Sequence, residues 1–134
     1  MKKTVFVDTS AFFAIVDKDD CNHEAASEVI TRLVNEAAEL YTSNFVLSET
    51  YTLLRNNVGH SKTVSFINKA RSSLKIIHVT EDIEEKAIKI FIKYADKNFS
   101  FVDCTSFVVI RDLKLEKAFT FDKHFKQYGL TPIH

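Results

Sequence analysis

The chain opens on Thr4-Val5-Phe6-Val7-Asp8-Thr9-Ser10-Ala11, and this stretch limits what can follow it. Four β-branched or aromatic residues read as a short buried strand. They run straight into an aspartate, two hydroxyl residues and an apolar helical segment ending at Val16. The same switch from strand period to helix period recurs along the chain. The pattern predicts further strands at residues 40–43, 75–79, 118–121 and 130–133. Helices are predicted at 9–16, 23–39, 44–58, 61–73, 80–95 and 103–112, with a helical turn at 123–128. Strands alternating with helices specify a mostly parallel sheet with helices on both faces. The expected fold is α/β, a three-layer α/β/α sandwich around a short sheet of four or five strands. With 134 residues, two glycines and one proline, the chain is expected to form one domain, residues 1–134, with few long loops. Pro132 cannot donate to a ladder, which places the last strand at an edge.

Eighteen basic and eighteen acidic side chains cancel, so net charge does not advertise a polyanion partner. An acidic metal site can, however, offset a basic rim within the same total. Cys21 and Cys104 are too far apart in sequence for metal-ligand spacing or a disulfide framework, and a reducing cytoplasm is the expected setting. No apolar run approaches the roughly 18 residues of a membrane span. With glycine only at 59 and 129 there is no phosphate-binding loop, and no serine sits in a nucleophile elbow. Asp17, Asp19 and Glu28 sit at three calcium-loop positions, but Cys21 and Asn22 fall where that loop needs a ligand and a glycine.

Four acids stand apart by context. Asp8 ends the first strand. Glu49 lies on a helix one turn from Phe45 and Leu53, bordering its apolar stripe. Asp103 opens a helix, and Asp122 follows the fourth strand. Taken singly, Asp103 and Asp122 read as helix-cap or turn residues. Taken together, Asp8, Asp122 and Asp103 can converge, because the carboxyl ends of parallel strands and the starts of the following helices share one sheet edge. Carboxylates in one cleft cannot all stay ionised without a counter-charge. All-oxygen ligation favours Mg²⁺ or Mn²⁺, ions that activate water and stabilise the leaving oxygen of a phosphodiester.

The order Val7-Asp8-Thr9-Ser10, Leu47-Ser48-Glu49, Phe101-Val102-Asp103-Cys104-Thr105-Ser106 and Thr120-Phe121-Asp122-Lys123-His124-Phe125 resembles the PIN-domain nucleases, most closely their small VapC-like toxin branch. The resemblance covers nearly the whole chain. It implies that Asp8, Glu49 and Asp103 bind the metal and that Asp122 completes the site. It implies supporting hydroxyls at Ser10 and Thr105. It also implies Mg²⁺- or Mn²⁺-dependent cleavage of single-stranded RNA leaving a 5′-phosphate, a small antitoxin partner and a homodimer.

Residues 50–80 contain no acid, while Arg55, Lys62, Lys69, Arg71 and Lys75 fall there. They can form a phosphate-tracking rim or an ordinary solvated face, and Arg55 and Lys62 are taken as candidate substrate contacts. His124 can reach the site, although a role in orienting the last turn explains it better. Two other functions stay open. One is a haloacid-dehalogenase-like phosphatase with Asp8 as nucleophile, a family that wants an aspartate where this chain has Ser10. The other is a non-catalytic PIN-like module that binds RNA or protein.

Overall fold

A computed structural model describes residues 2–134. Its elements follow in chain order as β1 (Thr4–Val7), α1 (Thr9–Val16), α2 (His23–Asn35), β2 (Glu39–Ser43), α3 (Asn44–Val58), α4 (His60–Ser73), β3 (Lys75–Ile77), α5 (Glu81–Lys93), α6 (Phe101–Asp112), β4 (Lys117–Phe119), α7 (Lys123–Tyr128) and β5 (Pro132–Ile133). The sheet has five strands in the order β3-β2-β1-β4-β5, and every pair is parallel.

That order contains the feature that places the site. From β1 the chain winds outward through β2 to β3, then crosses back to β4 and β5 on the other side. The direction of winding reverses between β1 and β4, which opens a crevice at their carboxyl ends. Helices α1 to α4 pack among themselves, and α5 to α7 form the second group, giving the two outer layers. As the central strand, β1 is covered on both faces, so Val5, Phe6 and Val7 are essentially inaccessible. Behind the crevice lies an aromatic cluster in which Phe107 stacks on Tyr128 with ring centroids 4.4 Å apart and meets Phe99 and Phe125 edge-on.

Several expected boundaries move: β3 stops at Ile77, α5 at Lys93 and β5 begins at Pro132, and three further shifts have a clear local reason. The helix expected to reach residue 39 stops at Asn35. Ala37 takes a positive φ of 54°, the Ala38 N–H bonds back to Leu33, and Glu39 is already in register with Thr4. The helix expected from residue 103 starts at Phe101, because Ser100 caps it through a reciprocal capping box with Asp103. The fourth strand ends at Phe119, since the Thr120 and Phe121 region turns to serve the crevice. Pro132 lies on the edge strand as expected, with the neighbouring Ala118 N–H bonding to the Thr131 carbonyl. No helix among the described residues is long and apolar enough to cross a membrane.

Candidate metal centre and active site

Asp8 sits at the junction of β1 and α1 with extended backbone, and its carbonyl accepts from Ala11 and Phe12. Its side chain does not cap that helix. Instead, one carboxylate oxygen, Oδ2, accepts from both the Ser10 hydroxyl and the Thr120 hydroxyl, each at 3.0 Å. The two hydroxyls are themselves held: the Phe121 N–H donates to Ser10 Oγ and the Asp122 N–H donates to Thr120 Oγ1, both at 2.9 Å. Asp8 is 5% exposed. Burial, reinforced by the charge of Asp103 and opposed by the two hydroxyls, pushes its carboxyl from 3.8 up to about 7.

Asp103 faces Asp8 from the first turn of α6. Its Oδ2 accepts from the Ser100 N–H at 3.1 Å, completing the capping box, so the residue is both a helix cap and a site carboxylate. Burial raises its carboxyl and the charge of Asp122 adds to the rise, against hydrogen bonds from Ser100 and His124. Asp122 caps α7 by accepting from the His124 N–H at 2.9 Å. The His124 ring lies between the two acids, with Nδ1 3.0 Å from Asp103 Oδ2 and 3.1 Å from Asp122 Oδ1. An ionised carboxylate only accepts, so Nδ1 is the protonated nitrogen and donates to Asp103, with Asp122 close by on its other side. An edge-on contact with Phe99, centroids 5.6 Å apart, holds the ring in place.

The remaining expectations separate. Ser10 touches Asp8 directly. Glu49 lies beside Phe45 and Leu53 as expected but does not face the core: the buried positions of α3 are Val46, Leu47, Thr50 and Leu54, and Glu49 is exposed. It forms one wall of an open groove that also contains Thr9, Phe45, Leu53 and Val102, so it approaches the crevice from the solvent side. Thr105 supports no carboxylate. It is fully buried, and its hydroxyl donates to the Val102 carbonyl at 2.7 Å, as hydroxyl residues inside helices commonly do. Arg55 and Lys62 are not brought to the carboxylates. α3 starts at the crevice edge and runs away from it. Six residues beyond Glu49, Arg55 lies about 9 Å farther along the axis, hydrogen-bonded to His60. Lys62 lines a groove with Ile15 and Val16, at the opposite end of α1 from Asp8.

Sequence reasoning missed Thr120 altogether and undervalued His124. Thr120 looked like one more β-branched strand residue. The signal for His124 was its offset of two from Asp122, which suits an acid capping the turn that carries it.

Asp103, Asp122 and His124 each offer one ligand atom, all within 4.8 Å of one another. With Asp8 close by, the donor set is rich in carboxylate oxygen, with two acids buried and the rest partly so, and its carboxylates repel one another. Those are the conditions a hard divalent cation relieves, and the cluster can bind one.

Residues 5–130 match the PIN domain family. The chain is 34% identical over 130 residues to the 23S rRNA-specific endonuclease VapC20 of Mycobacterium tuberculosis, covering 96% of this chain and 97% of that protein. It is 30% identical over 123 residues to a VapC ribonuclease of Archaeoglobus fulgidus, covering 89% of this chain and 77% of the relative. The crystal structure of M. tuberculosis VapC20, described as a sarcin–ricin loop cleaving toxin, superposes with a TM-score of 0.87 at 33% identity over 95% of this chain and 96% of that one. These likenesses displace the phosphatase alternative, and the position where a phosphatase needs its second aspartate is here the hydroxyl clamp Ser10. The chain belongs to the PIN-domain family, among its VapC-type ribonucleases.

Proposed function

We propose that this chain is a divalent-metal-dependent endoribonuclease, the toxin of a toxin–antitoxin pair, acting in the cytoplasm on single-stranded segments of structured RNA. The observation that carries the reading is the pairing of two buried carboxylates, Asp8 and Asp103, with Asp122 alongside. Burial raises both acids, with the charge of Asp103 adding to the rise of Asp8 and that of Asp122 to the rise of Asp103, a cost that a cation held among them would relieve. Asp8, Asp103 and Asp122 would hold Mg²⁺ or Mn²⁺, with Glu49 contributing from the groove wall. Bound there, the ion would activate a water and stabilise the leaving oxygen of a phosphodiester. The chain's own part is orientation. Ser10 and Thr120 fix one oxygen of Asp8, the Ser100 N–H fixes Asp103, and His124 spaces Asp103 from Asp122.

The M. tuberculosis relative makes 23S rRNA the first substrate to test. A small antitoxin and a second copy of this chain are the proposed partners. For the second copy, exposed apolar side chains lie on α5 (Ile88, Phe91 and Ile92) and, singly, on α3 (Leu53) and α4 (Val64). The retained carboxylates speak against a purely binding module. The test is cleavage of 23S rRNA by the purified chain, freed of any protein partner, with and without Mg²⁺ or Mn²⁺. Cleavage should require the ion and fall to background in Asp8→Asn and Asp103→Asn variants that keep wild-type circular dichroism. A wild-type chain that binds no divalent ion overturns the proposal.

A further inference from the structure

The basic stretch after Glu49 plays no part in the carboxylate cluster, and the fold sorts its members. Arg55 is bonded to His60, Lys75 is paired with Glu39, and Lys62 and Lys69 line the groove beside Ile15 and Val16. Arg71, in the last turn of α4, is exposed and takes part in no ion pair among the described residues, as is true of Lys62 and Lys69, and it differs from them in where the fold puts it. It lines a second groove, whose floor is Leu47 and Ile76 and whose walls include Asn44, Tyr51 and His78.

This groove meets the first one. Ser48 and Thr52 line both it and the groove that carries Thr9 and Glu49. The two grooves therefore adjoin as two halves of a shallow trough, with Ser48 and Thr52 of α3 on the ridge between them. Together they run from Thr9, the residue after Asp8, over α3 to His78 just past the end of β3. The far end is rigidly built. The Asn44 side-chain oxygen accepts from the Val79 N–H at 2.8 Å, tying the end of β3 to the start of α3. The Tyr51 ring is fixed edge-on against Phe66, centroids 6.2 Å apart, and Arg71 is close enough for its charge to act on the Tyr51 phenol.

A guanidinium free of acids, two aromatic rings and a set of neutral polar groups along an open channel are the parts that hold a single nucleic-acid strand. The guanidinium takes a phosphate in a bidentate grip, and rings stack bases without demanding a sequence. We propose that the far half of this trough is the subsite for the RNA strand beyond the scissile phosphate, with Arg71 gripping a backbone phosphate and Tyr51 and His78 receiving an adjoining base. The proposal rests on the ribonuclease reading above and assigns the path of the strand across the surface.

The test uses a fluorescein-labelled single-stranded oligoribonucleotide and full-length chains carrying Asp8→Asn, which binds without cutting. Adding Arg71→Ala to that background should raise Kd roughly 10-fold and lower the slope of log Kd against log salt by about 0.7, one single-strand phosphate contact. Arg71→Lys should restore the salt slope but only part of the affinity. In the otherwise wild-type chain, Arg71→Ala should raise KM for 23S rRNA and leave kcat within about twofold. Arg55→Ala, on the same charge-rich stretch but outside the trough, should change none of these. Unchanged Kd and salt slope in the Arg71→Ala chain would overturn the assignment, as would an equal effect from Arg55→Ala. A trough that instead takes a protein segment gives the unchanged result. If the wild-type chain does not cleave RNA at all, the ribonuclease reading fails by itself, and the binding measurements still decide the strand path.

Discussion

Replacing Asp8 with asparagine should make the metal-free protein more stable. Asp8 is buried, and its carboxyl titrates at about 7 in the folded chain against 3.8 ordinarily. Between those values the folded state binds more protons than the unfolded state. Stability therefore falls as pH rises, with a limiting slope of ~1.4 kcal/mol per pH unit, and levels off above about 7. The accumulated cost of holding Asp8 ionised is about 4 kcal/mol at pH 8 and under ~2 kcal/mol at pH 5. Asp8→Asn cannot ionise, and its amide oxygen can still accept from Ser10 and Thr120. In EDTA at pH 8 the variant should be the more stable by about 2–4 kcal/mol. For a chain of this length that corresponds to a rise in Tm on the order of 10 °C. Thermal melts followed by circular dichroism in EDTA, at pH 5 and pH 8, measure both the difference and its growth with pH. Added Mn²⁺ should raise the wild-type Tm and leave the variant nearly unmoved, closing or reversing the gap. A variant that melts at or below wild type in EDTA at pH 8, or a gap that is the same at both pH values, refutes the reasoning.

Other consequences of the site are open to simpler measurements. Thr120→Val removes a donor to Asp8 and leaves the Asp122 N–H without its hydroxyl partner; urea unfolding should show a loss of about 1–3 kcal/mol, and Mn²⁺ titration a weaker affinity. Ser100→Ala breaks the capping box that orients Asp103, and should cost about 1 kcal/mol in the same unfolding assay while also weakening Mn²⁺. Cys104 is fully buried and its thiol is pushed up to about 11, mainly by burial, whereas Cys21 is exposed. A thiol-reactive dye at pH 8 should therefore label Cys21 alone in the native protein and both cysteines only after denaturation.

Much of the architecture could be read from residue types because the relevant signals are local. Strand and helix periods lie within a few residues of each other, and Asp8 and Asp103 stand at the element ends where a parallel sheet gathers ligands. What escaped reading depends on contacts across the fold. Thr120 belongs to the expected strand by type, and only pairing of β4 beside β1 turns its hydroxyl onto Asp8. Glu49 does lie beside its helical neighbours Phe45 and Leu53, but they line an open groove rather than the core, so its exposure was not legible from the helical pattern. Arg55 and Lys62 follow Glu49 closely in sequence, but the direction of α3 carries them away from the crevice. Thr105 lies inside a helix, where a hydroxyl readily turns back onto a carbonyl. His124 needed the positions of two acids separated by most of α6, β4 and the linking turns.

The clamp on Asp8 has a consequence for how the protein is made. Ser10 and Thr120 lie 110 positions apart, yet both grip the same carboxylate oxygen. During synthesis the chain emerges amino end first. Asp8 therefore leaves the ribosome early, while Thr120, Asp122, His124 and the strand that flanks β1 are still to be translated or are held in the exit tunnel. A nascent chain can form β1 to β3 but cannot assemble the cluster. The order of assembly is thereby fixed: the carboxylate cluster cannot exist until β4 has paired beside β1, so closing the sheet and completing the site are one event.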